Sequence, residues 1–256
     1  MKLISRVSSG LRSLFPLYMP IGLRCFAILN GDAVGRILAD DPVDPGCAVV
    51  QELGDGAIFM GGSLTAPLLS EAIVTLRKEG DVVVGLWHDD PRLQLLPPSP
   101  DYDGLAIDFT NRPVGEGLSQ FLPLPGGCRL QPIDDGLFHG LAHPERYVSV
   151  FGSAEKALEK GFGYCLMRGA TILCEAFAGP SANGMVEIGV ETHEPYRRRG
   201  YATITCAHLI RTCEERGYRT FWNAAKQNRA SKALARKLGY RTEQEFRVLA
   251  WSRYGQ

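Results

Sequence analysis

The sequence has no net charge, no long apolar run and no paired cysteine motif. Its 28 basic side chains balance 28 acidic ones, so no overall positive charge attracts nucleic acid. No apolar stretch approaches the roughly 20 residues that cross a bilayer, so neither a transmembrane helix nor a membrane partner is predicted. The seven cysteines are scattered and none forms Cys-x-x-Cys. No disulfide framework or metal site is therefore expected, and a cytoplasmic location is favoured.

Charge is nevertheless unevenly distributed along the chain. Residues 1–120 contain 9 basic and 15 acidic side chains, whereas residues 121–256 contain 19 and 13. From residue 191 onward, 14 basic side chains stand against 6 acidic ones. This polarity favours an anionic ligand in the C-terminal half. A phosphate-bearing small molecule is a better candidate than nucleic acid, because no base-reading motif or aromatic stacking platform accompanies the basic residues.

The most informative segment is Arg197-Arg198-Arg199-Gly200-Tyr201-Ala202, of the pattern Arg-x-x-Gly-x-Ala. Glycine allows the backbone to approach an anion closely, and the free N–H groups of a first helical turn point toward phosphate oxygens. Three guanidinium groups raise the local positive potential. The segment predicts a turn that holds a pyrophosphate. For the hexapeptide alone, a solvated basic turn remains the alternative.

The elements around this turn follow from their periodicity. Alternating apolar residues predict a strand over 184–192, and apolar residues at helical spacing predict a helix over 203–215. A second strand is predicted over 220–225 and a second helix over 228–238. A glycine follows each helix closely, as expected at helix C-termini.

Elements and motifs follow one another in the order strand, Arg-x-x-Gly-x-Ala, helix, strand and then Asn-x-x-Ser-x-x-Leu-x-x-x-Leu-Gly-Tyr. This order resembles the acetyl-CoA-binding core of the GNAT-type N-acetyltransferases. The resemblance runs from about Gly127 to the C-terminus. The chain also has the segment Trp222-Asn-Ala-Ala-Lys-Gln-Asn228 and an extra N-terminal region. In both features it is similar to a two-domain bacterial subgroup that includes the zwittermicin-resistance acetyltransferase. The resemblance implies acetyl-CoA as cosubstrate and an α/β (α+β) fold, a mixed, largely antiparallel sheet flanked by helices.

Two domains are expected. Residues 1–121 form a smaller N-terminal α/β domain of unknown role, with strands near 48–52, 57–60 and 81–88 and a helix near 66–78. The proline- and glycine-rich stretch 121–127 serves as the linker, and residues 127–256 form the GNAT-like acetyltransferase domain.

The resemblance also implies which residues hold the cofactor. The amides from Arg198 to Thr203 would surround the pyrophosphate, and main-chain groups at the strand end would pair with the pantetheine arm and polarise the thioester. Asn228 and Ser231 match residues that touch the cofactor on the far side, and both are also suited to capping the last helix. The full implied set is Thr192, His193, Arg197, Arg198, Arg199, Gly200, Tyr201, Ala202, Thr203, Asn228 and Ser231.

Candidate catalytic residues lie on the strand that precedes the turn. Glu187 is a carboxylate in an apolar strand, placed like the glutamate that serves as general base in some family members. Glu191 shares its face by the period of two, and Thr192 would act through its main chain. Solvent exposure or pairing with arginine is the alternative for both carboxylates. His193 and Tyr196 are further candidates for the base.

The general acid departs from the family pattern. Many members have a tyrosine directly after the leucine equivalent to Leu234, and this chain has Ala235. Tyr240 is close in sequence but is expected to start a strand and pack in the core. The position therefore predicts either that water or another group protonates the thiolate, or that the enzyme is slow or inactive.

The leading functional prediction is an enzyme, an acetyl-CoA-dependent N-acetyltransferase in which a primary amine attacks the thioester directly in a ternary complex. The acceptor is expected to be a small molecule. One alternative is a non-catalytic acyl-CoA-binding module that acts as a sensor, and another is a protein-modifying acetyltransferase. The acyl chain length, the acceptor and the oligomeric state are left open by the sequence.

Overall fold

The structure is a computed structural model that describes residues 1–5, 7–110, 112–115 and 117–253. The strands are β1 Lys2–Ile4, β2 Gly35–Ala39, β3 Cys47–Glu52, β4 Ala57–Gly62, β5 Val82–Leu86, β6 Tyr102–Phe109, β7 Cys128–Pro132, β8 Phe162–Arg168, β9 Thr171–Ala182, β10 Met185–Thr192, β11 Arg219–Ala225 and β12 Glu243–Trp251. The α-helices are α1 Ser9–Ser13, α2 Gly22–Leu29, α3 Ala66–Arg77, α4 Asp135–Phe138, α5 Pro144–Phe151, α6 Ala154–Lys160, α7 Tyr201–Glu215 and α8 Arg229–Lys237.

Contacts divide the chain into two compact units. The first comprises Met1–Ile107 with Glu245–Gln256, and the second comprises Asp108–Gln244. The predicted domain boundary lies at residues 121–127, whereas the contacts place the boundary between Ile107 and Asp108. The last strand also differs, because the contacts assign it from Glu245 onward to the first unit. The cause is non-local pairing, since β12 runs antiparallel to β5 and residues 247–251 register with residues 86–82.

The first unit is a sheet of order β1-β2-β3-β4-β5-β12-β6. β1 to β4 pair antiparallel, and α3 crosses over so that β5 lies parallel to β4. Apolar residues recur along α3 at spacings of three and four, which puts Leu69, Ala72, Ile73 and Leu76 on one buried face. That face packs on the apolar side chains of β3, β4 and β5.

The second unit is a sheet of order β7-β8-β9-β10-β11. β7 to β10 are antiparallel, and β11 returns parallel to β10 after α7. α7 packs against β8, β9 and β10. The short helices α4 to α6 cover another core, which includes Phe138, Phe151 and Phe177. The four elements predicted around the turn are present, with α7 beginning at Tyr201, two residues before the expected start.

The two units share a run of elements. Each begins with a strand and short helices, continues with antiparallel strands, and then has a crossover helix and a parallel strand. β6 and β12 follow in the first unit, and α8 follows in the second. The run β2-β3-β4-α3-β5 in the first unit corresponds to β8-β9-β10-α7-β11 in the second. No helix among the described residues is both long enough and apolar enough to cross a membrane.

Candidate functional site

A cleft begins where β10 and β11 separate. Their parallel ladder joins residues 185–187 to residues 219–221, while β10 stays paired with β9 as far as Thr192. The amide of His193 donates to the carbonyl of Leu173 at 3.1 Å. Because donors alternate along an antiparallel pair, the main-chain groups of Val190 and Thr192 face away from β9, toward the open edge. Two main-chain N–H groups were expected to face the cofactor here. The N–H of His193 is instead bonded to β9, and the N–H of Thr192 points into the cleft.

The turn between β10 and α7 is shaped for close approach. Arg198 and Gly200 both have left-handed backbone angles, with φ of 62° and 80°. Gly200 is the N-cap of α7 and its helix start has no side-chain cap. A Cβ added at Gly200 would meet no heavy atom within 4 Å. A 15-residue helix thus begins without a side-chain cap and with open space beside its N-cap residue, and an uncapped helix N-terminus of this kind suits phosphate.

These features share one groove of about 620 Å³ in the second unit. Every residue of the implied cofactor set lines it except His193 and Arg199. Five further lining residues were missed by sequence reasoning, Val190, Ala230, Ala233, Leu234 and Lys237. The four on α8 recur at spacings of three and four, so the helical period could have found them.

The charges around the groove are partly paired. Arg197 donates from Nη2 to Glu191 Oε1 at 3.0 Å and from Nε to the carbonyl of Thr192 at 3.0 Å. Arg197 therefore ties the turn to the strand end. Arg198 and Lys237 are the other basic residues that line the groove.

Asn228 has the capping role that was the alternative for it, whereas Ser231 does not cap the helix with its side chain. Asn228 Oδ1 accepts the amide of Ser231 at 3.0 Å and caps α8. Ser231 Oγ accepts the indole N–H of Trp222 at 2.9 Å. Because both residues also line the groove, the capping contacts fix the helix end that faces the cofactor space.

Glu187 and Thr192 are less accessible than expected for substrate contact. Glu187 is 8 % exposed and registers with Phe221, in the part of the cleft where β10 and β11 are still hydrogen-bonded. The Thr192 hydroxyl donates to the sulfur of Cys174 at 3.3 Å, so its side chain is directed at β9 and its main chain remains for the cleft.

A buried carboxylate that sequence reasoning missed lies beside the strand end. Glu175 of β9 registers with Glu191 and is 2 % exposed at its side chain. Its Oε2 lies 2.9 Å from Nε2 of His193, and its Oε1 accepts the amide of Ala142 at 2.7 Å. Burial and the field of Glu175 raise the pKa of Tyr147 on α5. The signal was present in the sequence, since Glu175 is a carboxylate inside an apolar strand just as Glu187 is.

The relatives of this sequence match the region that builds the groove. The profile of the GNAT acetyltransferase family covers residues 109–249, more than half of the chain. The chain belongs to the GNAT acetyltransferase family. A protein named uncharacterized N-acetyltransferase YdfB, from Bacillus subtilis (strain 168), is 30 % identical over 135 residues, 52 % of each chain. The chain thus matches about half the length of this curated relative.

Solved GNAT structures resemble the whole chain. A GCN5-related N-acetyltransferase-like protein from Streptococcus suis 89/1591 superposes with a TM-score of 0.73 at 21 % identity, over 96 % of this chain and 99 % of that one. An acetyltransferase of the GNAT family from Colwellia psychrerythraea gives a TM-score of 0.59 at 14 % identity, over 98 % of each. The predicted family and the predicted fold class are both confirmed.

This GNAT protein has no tyrosine at the position expected for the acid. Ala235 is fully buried, so this position faces the core. The Tyr240 hydroxyl donates to Thr220 Oγ1 at 2.7 Å, and burial raises the pKa of Tyr240. Tyr240 is a core residue, as expected, but it does not start the next strand, because β12 begins at Glu243. Among the described residues, no group of three or more histidine, cysteine, aspartate or glutamate side chains could hold a metal ion.

Proposed function

We propose that this GNAT protein transfers an acetyl group from acetyl-CoA to the primary amine of a small molecule, by direct attack in a ternary complex. The observation that carries the proposal is that one groove combines the uncapped N-terminus of α7 with the free edge of β10. The first feature suits a pyrophosphate and the second suits an extended amide-bearing arm. Both occur in coenzyme A at opposite ends of the same ligand.

The residues of the turn bind and orient the ligand in this proposal. The amides of Tyr201, Ala202 and Thr203 donate to the pyrophosphate, and Arg198 and Lys237 add positive charge. The edge of β10 from Val190 to Thr192 pairs with the pantetheine amides as an added strand would. The N–H of Thr192 then donates to the thioester oxygen, where negative charge develops during attack.

Acetyl-CoA supplies an activated acetyl thioester. The acceptor amine loses a proton, its nitrogen bonds to the carbonyl carbon, and the carbon–sulfur bond breaks as the thiolate leaves with the electron pair. An acyl-cysteine intermediate is disfavoured, because the cysteine nearest the strand end is buried. Burial raises the pKa of Cys174 to about 11, so its thiol stays protonated and non-nucleophilic near neutral pH.

The acceptor amine is placed at the face of β10 that bears carboxylates. Glu187 and Glu191 lie on this face because side chains alternate between the two faces of a strand. The β9–β10 pairing is irregular, but its extra residue lies on β9, at residues 179–180, so the alternation of side chains along β10 is not interrupted. Carboxylates at the acceptor side also favour a cationic amine. Amino sugars and aminoacyl amides are therefore the first acceptors to test, in keeping with the resemblance to the two-domain subgroup.

The test is a titration with coenzyme A followed by turnover. The full chain is titrated by calorimetry, and thiol release from acetyl-CoA is then measured over glucosamine, kanamycin, alanine amide and spermidine. Binding with acetylation of at least one amine supports the enzyme. Tight binding without any acetylation would favour the non-catalytic acyl-CoA-binding module, to which the buried Ala235 position also points. Acetylation of lysine peptides alone would favour the protein-modifying alternative.

A further inference from the structure

We propose that His193, held by the buried carboxylate of Glu175, is the group that removes the proton from the acceptor amine. The inference deepens the proposed function and rests on it. Glu175 Oε2 lies 2.9 Å from His193 Nε2, and the imidazole is 28 % exposed while the carboxylate is 2 % exposed. One end of the pair is thus enclosed in the protein, and the other end reaches solvent.

The hydrogen bond fixes the tautomer of His193. A carboxylate can only accept, so Nε2 carries the proton and the lone pair lies on Nδ1. Glu175 is itself oriented by the amide of Ala142, which donates to Oε1 at 2.7 Å. Both oxygens of the carboxylate are therefore engaged, and the imidazole is presented in one orientation. His193 is the catalytic residue in this proposal and Glu175 is a positioning residue.

Position along β10 favours His193 over the two carboxylates predicted from the sequence. His193 directly follows Thr192, whose N–H is aimed at the open edge. Glu187 lies five residues before Thr192, about 16 Å away along an extended strand, and in the closed part of the cleft. Glu191 is already bonded to Arg197 at 3.0 Å.

The proton balance assigns each proton a destination. The acceptor ammonium first releases one proton to solvent. As the neutral amine attacks the thioester carbonyl, its nitrogen gives a second proton to Nδ1, and the resulting imidazolium is stabilised by the Glu175 carboxylate. The carbon–sulfur bond then breaks, and the imidazolium passes this proton to the departing thiolate. This return route also removes the need for a tyrosine at the Ala235 position.

Several other charged or titratable groups lie around the pair. Tyr147 on α5, Cys165 on β8 and Cys174 on β9 are within the field of the Glu175 carboxylate. Glu191 registers with Glu175 and is bonded to Arg197. Among them, Glu191 and Arg197 neutralise one another. Glu175 is the carboxylate in direct contact with the imidazole, so replacing Glu175 tests what this carboxylate contributes to the action of His193.

The experiment compares His193→Gln and Glu175→Gln with the unaltered protein, using the best acceptor of the amine panel. We expect His193→Gln to lower kcat by about 10²- to 10⁴-fold and to abolish the acidic limb of the pH–rate profile. Glu175→Gln is expected to lower kcat by about 10²-fold through misplacement of the ring. The loss should appear in kcat rather than in the KM for the amine, because the ring is misplaced relative to a substrate that still binds. The affinity of both variants for coenzyme A should be unchanged, since neither side chain lines the groove.

The matched control is Glu145→Gln, which removes an exposed carboxylate 3.2 Å from the ring of His143 in the same unit. Its kcat and pH–rate profile should not change. If His193→Gln keeps kcat and the acidic limb while the unaltered protein acetylates an amine, the inference is wrong and the proposed function stands. If the unaltered protein binds coenzyme A but acetylates nothing, both fail together.

Discussion

At Gly200 the backbone conformation and the ligand chemistry require the same residue. A φ of 80° is a conformation that side chains with a Cβ rarely adopt, and the space in front of this residue is open. Sequence reasoning found this position from its pattern alone, because phosphate binding by a helix start is a local property. The family resemblance placed His193 in the cofactor set through its main chain, and its amide donates to β9. That hydrogen bond is non-local, since it depends on which strand lies alongside.

We expect Gly200→Val to weaken coenzyme A binding by at least about tenfold, because a β-branched residue in this conformation costs about 1–2 kcal/mol and its methyl groups cover the helix-start amides. The matched control is Gly217→Val. Gly217 has a φ of 82°, follows the other end of α7, and also has no heavy atom within 4 Å of a built Cβ. Calorimetry should show the loss only at Gly200, while thermal melts show a comparable loss of stability for both. Equal binding by the two variants would refute the anion-binding turn.

At the scale of the elements, the sequence predicted the bounds of four elements to within two residues at each end, namely β10, α7, β11 and α8. Their apolar periodicity is strong, and glycines mark the helix ends. The partner of β12 could not be predicted. Strand pairing between residues 82–86 and 247–251 leaves no trace in local sequence, and the same holds for the contact between Glu175 and His193. The apolar strand around Glu175 looks like any buried strand until β10 brings His193 beside it. What the sequence predicted is local, and what it missed is tertiary.

At the scale of one helix, substitutions of Asn228 distinguish its contribution to stability from its contribution to coenzyme A binding. Asn228→Ser keeps a side-chain cap on α8 and is expected to keep both the melting temperature and the affinity for coenzyme A. Asn228→Ala removes the bond to the Ser231 amide, which costs about 1 kcal/mol and lowers the melting temperature by about 3 °C. Asn228→Asp keeps the cap but puts a carboxylate in a groove proposed to hold a polyanion, so affinity should fall while the melting temperature is kept. A melt and a titration for each variant decide this, and an Asp variant with full affinity would remove Asn228 from the cofactor site.

At the scale of the whole chain, two units share an order of elements but differ in the turn before the crossover helix. In the second unit, eight residues with three arginines separate β10 from α7. In the first unit, three residues, 63–65, join β4 to α3, and a proline in the first turn of α3 removes an N–H donor. A Cβ at Gly61 would lie 3.0 Å from the ring of Phe15, and the amide of Gly62 donates to the carbonyl of Leu14.

These differences predict one coenzyme A per chain. The end of β4 is covered by residues 14 and 15. A separate hollow of about 390 Å³ in the first unit is lined by four carboxylates, Glu52, Asp55, Glu79 and Asp81, against one basic residue, Arg36, so its net negative charge repels a polyanion. Calorimetric titration of the full chain should therefore give a stoichiometry of one, and Gly200→Val should weaken that single site without exposing another. A stoichiometry of two, or a second site that survives Gly200→Val unchanged, would show that the first unit also binds the coenzyme. The shared order of elements would then reflect a shared ligand, whereas a single site means that the first unit keeps the fold without the phosphate-binding turn.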